Sequence, residues 1–351
     1  MTPEILSIIM FFTTLGLLLF GLPVAFTLAG FALIFGFIGY ALGIFKFRRI
    51  GFFPQRVFGT MINEPLVAVP LFIFMGIMLE KTKIAAGLLQ SIGELFGTTK
   101  GGLGVGVVLV GMLLAASTGI VGATVVTMGM LSLPSMMKAG YDQKIATGTI
   151  CAAGTLGQII PPSIVLVLLA TILQGANEEA ALLRGELAPD PVTAIDLFAG
   201  ALMPGLMLVA MCVIFIYFYA RIFPTTCPPI ETSKSRSQIY LDAFKSVFPP
   251  IILIVLVLGS ILFGVATPTE SASVGAIGAA VIAYTKGELT FHNLTETSLG
   301  TVNVSSFVFV ILIGASMFSL VFRGFGGAYM VDHFVGSLPG GLCVGYVVVS
   351  V

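Results

Sequence analysis

The chain has 351 residues, of which 57% are hydrophobic and 9% charged, with a net charge of zero and a mean hydropathy of +1.10. A soluble domain carries about 25% charged residues, so the composition excludes an ordinary soluble enzyme and predicts an all-α polytopic membrane protein. The neutral balance offers nothing to a nucleic acid. Cys151, Cys212, Cys227 and Cys343 show no CxxC spacing, and His292 and His333 lie 41 positions apart, so neither a disulfide framework nor a metal centre is expected.

A membrane-spanning helix needs about 20 apolar residues. The N-terminus, MTPEILSIIMFF, lacks a basic leader and reads as the start of a first span at 4–21. A second follows at 22–44 after the tight break Gly21-Leu22-Pro23, and a third at 63–80. The stretch 46–56, KFRRIGFFPQR, is basic and polar, and 80–100 carries a further group of charges.

From Gly101 to Met137 there are 37 residues without Asp, Glu, Lys, Arg or His. That is too long for one span and short for two spans plus a turn. The middle, Ser117-Thr118-Gly119 to Gly122, is small and hydroxylated. We expect a re-entrant hairpin over 101–137 that descends half the membrane, turns at Ser117–Gly122 and returns. Non-helical backbone at that depth must line a cavity or be buried in protein. Gly102-Leu-Gly104-Val-Gly106 only superficially resembles a nucleotide loop, with no preceding strand, and reads as helix packing.

A second uncharged tract of 33 residues runs from Ile145 to Asn177 and contains GTLGQIIPPSI. Proline removes a backbone donor and clashes with the carbonyl four residues back. Pro161 and Pro162, with Gly157, should therefore unwind a turn near Gln158–Ser163 and make 145–175 a discontinuous helix. The second half-helix should start on the prolines, with Ser163 as cap. Acidic residues crowd 177–196, a span follows at 197–220, and 221–247 forms the longest polar segment, an expected cytoplasmic linker. Further spans are expected at 248–265, 268–285 and 304–322. Thr267-Pro268-Thr269-Glu270 places a carboxylate in a first helical turn, where a dipole role is favoured over a functional one.

The positive-inside rule puts 221–247 in the cytoplasm and 177–196 outside. The hairpin then enters from the cytoplasmic face. The basic stretch 46–56 falls outside, against the rule.

The chain also repeats itself. Phe72–Gly76 corresponds to Val310–Gly314 at an offset of 238, and the Gly-Gly stretch at 101 to that at 340 at an offset of 239. Gly21-Leu-Pro23 pairs more loosely with Ala266-Thr-Pro268. The expected organisation is a first inverted repeat over 1–220, the linker 221–247, and an incomplete second repeat over 248–351. Counterparts of the hairpin tip and of the broken helix would fall near 356–361 and 396–402, past Val351, so a fragment is expected. Inverted repeats with broken helices mark secondary transporters. Carbonyls and hydroxyls at the two breaks suit a hard cation such as Na⁺. The half-helix N-terminus at Pro161–Ser163 suits a carboxylate.

STGIVGATVVTMG, MMKAGYD, GTLGQIIPPSI and GVATPTESASVGAIGA resemble the large membrane (permease) subunit of tripartite ATP-independent periplasmic (TRAP) transporters, over essentially the whole chain. The version of these motifs looks most like the subgroup associated with keto acids, mannitol or chloroaromatic compounds. The resemblance implies an inverted-repeat, elevator-type ion-transporter fold in a bacterial or archaeal inner membrane. It implies import of an organic acid with a Na⁺ gradient, no other cofactor, a small four-helix membrane subunit and a periplasmic substrate-binding protein. Carried onto this chain, the cation site uses Ser117, Thr118, Gly119, Gly157 and Pro161. Thr124, Gln158, Pro162 and Ser163 are the expected substrate contacts. An exchanger of the same fold is an alternative within transport. An intramembrane lipid-modifying enzyme is another, which the two uncharged tracts argue against.

Overall fold

The computed structural model describes residues 2–81, 84–118, 121–186, 190–229 and 236–337. Among the described residues there are helices and turns and no strand. In chain order the helices are α1 (Pro3–Leu19), α2 (Val24–Ala41), α3 (Phe53–Met61), α4 (Ala68–Lys81), α5 (Ile84–Phe96), α6 (Gly102–Thr118) and α7 (Val121–Lys138). Then come α8 (Gln143–Thr155), α9 (Ile164–Leu183), α10 (Ala194–Ile222), α11 (Arg236–Leu262), α12 (Pro268–Thr285), α13 (Phe291–Gly324) and α14 (Gly327–Gly336). Five described helices are long and apolar enough to cross a membrane: α2, α9, α10, α11 and α13.

Several expected boundaries are corrected. The basic stretch 46–56 is helical, a 3₁₀ turn over Phe47–Phe52 running into α3. The linker 221–247 is only half a linker. Its described first part ends at Pro229, while α11 already begins at Arg236. The reason is an amphipathic pattern in 236–247 that buries Ile239 and Ala243 and leaves Tyr240 and Phe244 outside. The span expected at 304–322 starts thirteen residues earlier, at Phe291, because a polar helical turn precedes the apolar stretch. Each hairpin arm is also longer than half a membrane. At ~1.5 Å per residue, the 17 residues of α6 and the 18 of α7 reach about 25 Å.

The described contacts form two compact units, Met1–Asn63 with Ser306–Val351, and Glu64–Ser305. This partition cuts the chain at places other than the repeat boundary. In the first unit, Leu6 and Met10 of α1, Phe35 of α2, and Val321 of α13 share a buried cluster with Phe45 and Phe325. The Phe45 and Phe325 rings lie 5.3 Å apart. Arg49 passes 5.8 Å over the Phe45 ring and donates from Nη1 to the Gly324 carbonyl at 2.8 Å. A cation on the last carbonyls of a helix is favourable on dipole grounds, so one basic residue of 46–56 has a capping job here.

In the second unit, α4 lies along α12, α5 against α11, and α10 against α6. Small residues set these approaches. A Cβ on Gly275 would meet Met75 Sδ at 2.7 Å, and one on Gly278 would meet Leu253 at 2.3 Å. Inside a membrane such packing carries helix association, since lipid tails are as apolar as the side chains. The contacts also cross the repeat register. α1 touches α14 and α11 touches α5; α4 packs on α12, and α2 meets α13 where Gly314 lies on the Ala25 backbone. In that register α1 corresponds to α11, α2 to α12, α4 to the second half of α13 and α5 to α14.

Candidate functional site: a buried helix break held by a hairpin

The site is built around α8 and the segment that follows it. Asp142 caps α8, accepting from the backbone N–H of Lys144 at 2.9 Å and of Ile145 at 3.4 Å. The helix runs to Thr155, tightens into a 3₁₀ turn over Leu156–Gln158 and is non-helical from Ile159 to Ser163 before α9 begins. The break falls where the two prolines predict it. The Pro161–Pro162 peptide is cis.

One detail is corrected. The prolines do not sit in the first turn of α9, and Ser163 does not cap it with its side chain. The Ser163 hydroxyl instead donates to the Gln158 carbonyl at 2.8 Å. That carbonyl is the one orphaned by Pro162, which has no N–H to offer it. The hydroxyl therefore repairs the acceptor side of the break, and the first N–H groups of α9 keep no side-chain cap.

The break is deeply packed. Gly157, Pro161, Pro162 and Ser163 are buried, and Gln158 is half-buried. Ile160 and Leu156 join Val108 of α6 and Val209 of α10 in one apolar cluster. A Cβ on Gly205 of α10 would meet Ile160 at 3.1 Å. Just before the break, α8 is clasped by both arms of the hairpin. A Cβ on Gly111 of α6 would lie 2.5 Å from that of Ala153, and one on Gly154 would lie 3.1 Å from the Val125 backbone of α7. Thr124, beside Val125, is buried at 2% exposure. The structure thus brings Thr124 to the level of Gly154, one turn ahead of Gly157.

The expected tip is narrower than Ser117–Gly122. α6 continues through Ser117 and Thr118, and α7 begins at Val121 and includes Gly122. Only the backbone of Ser117 and Thr118 is described, and Gly119 lies outside the described residues.

Reasoning from the sequence missed how the hairpin is anchored. The Gly101 N–H donates to the Cys227 carbonyl at 3.1 Å, and the Asp142 N–H donates to the Thr226 carbonyl at 3.0 Å. Both feet are therefore pinned to one short segment after α10, so the hairpin enters and leaves at the same end. Tyr141, 3% exposed, accepts from the Gly104 N–H in the first turn of α6 at 3.3 Å. It acts as a cap supplied by tertiary contact. Burial pushes the Tyr141 hydroxyl up to about 12, so it stays protonated. The GYD at 140–142 carried the signal, an aromatic hydroxyl beside a capping aspartate after a glycine turn. Also unforeseen, the Thr127 hydroxyl donates to the Glu80 carboxylate and ties α7 to α4.

Lys and Arg gather at one end of this unit, where Glu80, Asp142, Glu288 and Glu296 accompany them, with Glu296 paired to Lys81 at 2.7 Å. Lys81, Lys100, Lys138, Lys144, Arg221 and Lys286 lie at helix ends on the hairpin-foot side. Glu64, Glu178, Asp190, Asp196 and Glu270 lie at the other. Thr267 and Glu270 form a reciprocal capping box, with Glu270 Oε2 accepting from the Thr267 N–H at 2.8 Å. That is the dipole role favoured for this glutamate. No side chain at the break itself is ionisable. Such a site can offer carbonyl oxygens, hydroxyls and uncapped N–H groups, and no covalent or acid–base chemistry.

The family described as the tripartite ATP-independent periplasmic transporter, DctM component, matches residues 11–351. The chain belongs to this family. It is 30% identical over 315 residues to the C4-dicarboxylate TRAP transporter large permease protein DctM of Rhodobacter capsulatus, covering 87% of this chain and 69% of that protein. It is 30% identical to the Vibrio cholerae protein of the same description, covering 77% and 54%. The sialic acid TRAP transporter large permease protein SiaM of Vibrio cholerae matches at 27%, covering 88% and 66%. The chain spans about half to two thirds of the length of these TRAP relatives. They are named as permease subunits and not as enzymes. A TRAP-family chain of this composition and helix content is a multi-pass membrane protein.

Proposed function

We propose that this chain is part of the large permease subunit of a Na⁺-coupled importer of organic acids. It would work with a small four-helix membrane subunit and a periplasmic substrate-binding protein in a bacterial or archaeal inner membrane. The observation that carries this reading is the uncharged break at Ile159–Ser163, buried from Ile160 onward, between the two hairpin arms and α10. In this proposal Na⁺ sits among Ser117, Thr118, Gly119, Gly157 and Pro161, where backbone oxygens replace its hydration shell. The substrate carboxylate meets the uncapped start of α9, with Thr124, Gln158, Pro162 and Ser163 as its neighbours. Cation binding must favour the loaded, movable state for the gradient to do work.

Further support comes from the crossed contacts between equivalent elements, which fit an inverted repeat of the elevator type. The gathering of Lys and Arg at the hairpin feet fits a hairpin entering from the cytoplasm. C4-dicarboxylates and sialic acid, named for relatives, are both carboxylates and are the first substrates to try.

The test is uptake in proteoliposomes holding the complete transporter with its binding protein. Uptake that follows an imposed Na⁺ gradient, and falls when K⁺ replaces Na⁺, supports the reading. Uptake indifferent to Na⁺ and driven by internal counter-substrate would assign an exchanger.

A further inference from the structure

A groove of about 490 Å³ runs between α6, α8 and α10 at the basic end of the second unit. Its walls are Val108 of α6, Gly148 and Ala152 of α8, and Met211 and Phe215 of α10, and Lys144 stands at its mouth. We propose that this groove is a binding site for an anionic phospholipid, with one acyl chain in the slot and the phosphate on Lys144.

The lining decides the tail. Apart from Lys144 and Thr149 it is apolar or backbone, so a small free anion would find only the ammonium and one hydroxyl to hold it. Gly148 forms part of the floor, and no atom lies within 4 Å of where a Cβ would stand. The groove opens sideways beside a broad apolar face of α10, where Met207, Met211 and Phe215 are 65%, 54% and 61% exposed. In a membrane helix that face meets lipid tails, so the route into the groove is from the bilayer.

The mouth decides the headgroup. Lys144 lies in the first turn of α8, at the end where α8 leaves the apolar region. Its ammonium makes no ion pair or hydrogen bond among the described residues. Arg221 closes α10, tied to the same end by the Asp142–Thr226 bond, with its guanidinium 5.3 Å over the Tyr217 ring. Basic pockets between membrane helices hold anionic headgroups by charge, and lysine stems reach the interface along apolar surface. A zwitterionic lipid fills the slot equally well but gains less from Lys144. The occupant would cover the face of α8 that the hairpin leaves open, and so join α10 to the half-helix that carries the break.

The test is native mass spectrometry of the detergent-purified protein, titrated with phosphatidylglycerol or with phosphatidylcholine of the same chains. The proposal expects one retained phosphatidylglycerol and a preference over phosphatidylcholine of about fivefold, the scale of one interfacial lysine. Lys144→Gln should erase the preference and leave phosphatidylcholine retention as it was. Gly148→Leu should fill the slot and reduce both lipids together, at unchanged melting temperature. Bound phosphatidylglycerol should also slow alkylation of Cys212, which lines the groove. Equal retention in wild type, Lys144→Gln and Gly148→Leu overturns the proposal, as does displacement of the lipid by inorganic phosphate. Gly148→Leu converting a dimer to a monomer with lipid retention unchanged would give the groove to a second copy of the chain.

Discussion

The chain contains two Pro-Pro pairs inside apolar stretches, and they have opposite outcomes. Pro161-Pro162 ends one helix and starts another, with five residues between Gln158 and Ile164 outside any helix. Pro249-Pro250 sits inside α11, which runs unbroken from Arg236 to Leu262. Each pair orphans carbonyls four residues back. At the first, the Gln158 carbonyl is met locally by the Ser163 hydroxyl, which holds the chain in its broken path. At the second, the helix continues, and the Lys245 carbonyl accepts from Lys286 Nζ, at the C-terminal end of α12, at 3.4 Å. Context separates them further. Gly154 and Gly157 precede the first pair, whereas no glycine lies between Arg236 and Pro249. A proline pair in a membrane helix thus sets how many carbonyls lose their donor and does not by itself set whether the helix breaks.

That contrast can be broken at its strongest point by restoring the missing donors. Replacing Pro161 and Pro162 together by alanine should let α8 run on toward α9 and cut substrate uptake by the complete transporter more than about tenfold, equivalent to ~1.4 kcal/mol. Replacing Pro249 and Pro250 the same way should leave uptake within about twofold on the same scale. Equal losses from the two replacements would show that the break has no special role.

The packing around the first pair gives the next effect. Gly154→Leu has no room against the Val125 backbone and should lower stability by about 1–3 kcal/mol, read as a melting shift in detergent. Gly148→Leu, on the same helix with open space around it, should leave the melting temperature unchanged.

Removing the replacement donors sharpens the comparison. Ser163→Ala leaves the half-buried Gln158 carbonyl without this donor and should cost about 1–3 kcal/mol. Lys286→Met removes an exposed donor and should cost less than about 1 kcal/mol. The difference is read by parallel chemical or thermal unfolding.

The last effect concerns the hairpin foot and shows only at alkaline pH. Tyr141 has a folded pKa raised by burial from 10.0 to about 12. Its contribution should be complete below pH 10 and be lost as pH rises from 10 to about 12. Tyr141→Phe should flatten that alkaline slope in a melting-temperature profile, at the expense of the bond to Gly104.

Much of the site could be read along the chain, because it depends on local chemistry. Two adjacent prolines remove donors wherever they occur, which located the break at 158–163. The uncharged length of 101–137 predicted a hairpin, since one span cannot use 37 residues. Thr267-x-x-Glu270 announced its own capping box. Where the reading went astray, the missing information was tertiary. The tip is narrower than expected because the helical backbone of α6 continues through Thr118. The start of α11 was hidden because its pattern is amphipathic, and such a face has meaning only against α5. Ser163 was expected to cap α9, yet its hydroxyl had a better acceptor in the carbonyl that Pro162 left free.

Residue chemistry alone determined that this chain is all-helical, spans a membrane and carries an uncharged break, because apolar length and absent N–H groups act without partners. Only the tertiary structure showed that the second proline pair leaves its helix continuous. It also decided that Gly111 and Gly154 close the hairpin arms onto α8, and that Thr226 and Cys227 fasten both feet. Those outcomes depend on which surface arrives from elsewhere in the chain, and no local pattern encodes that arrival.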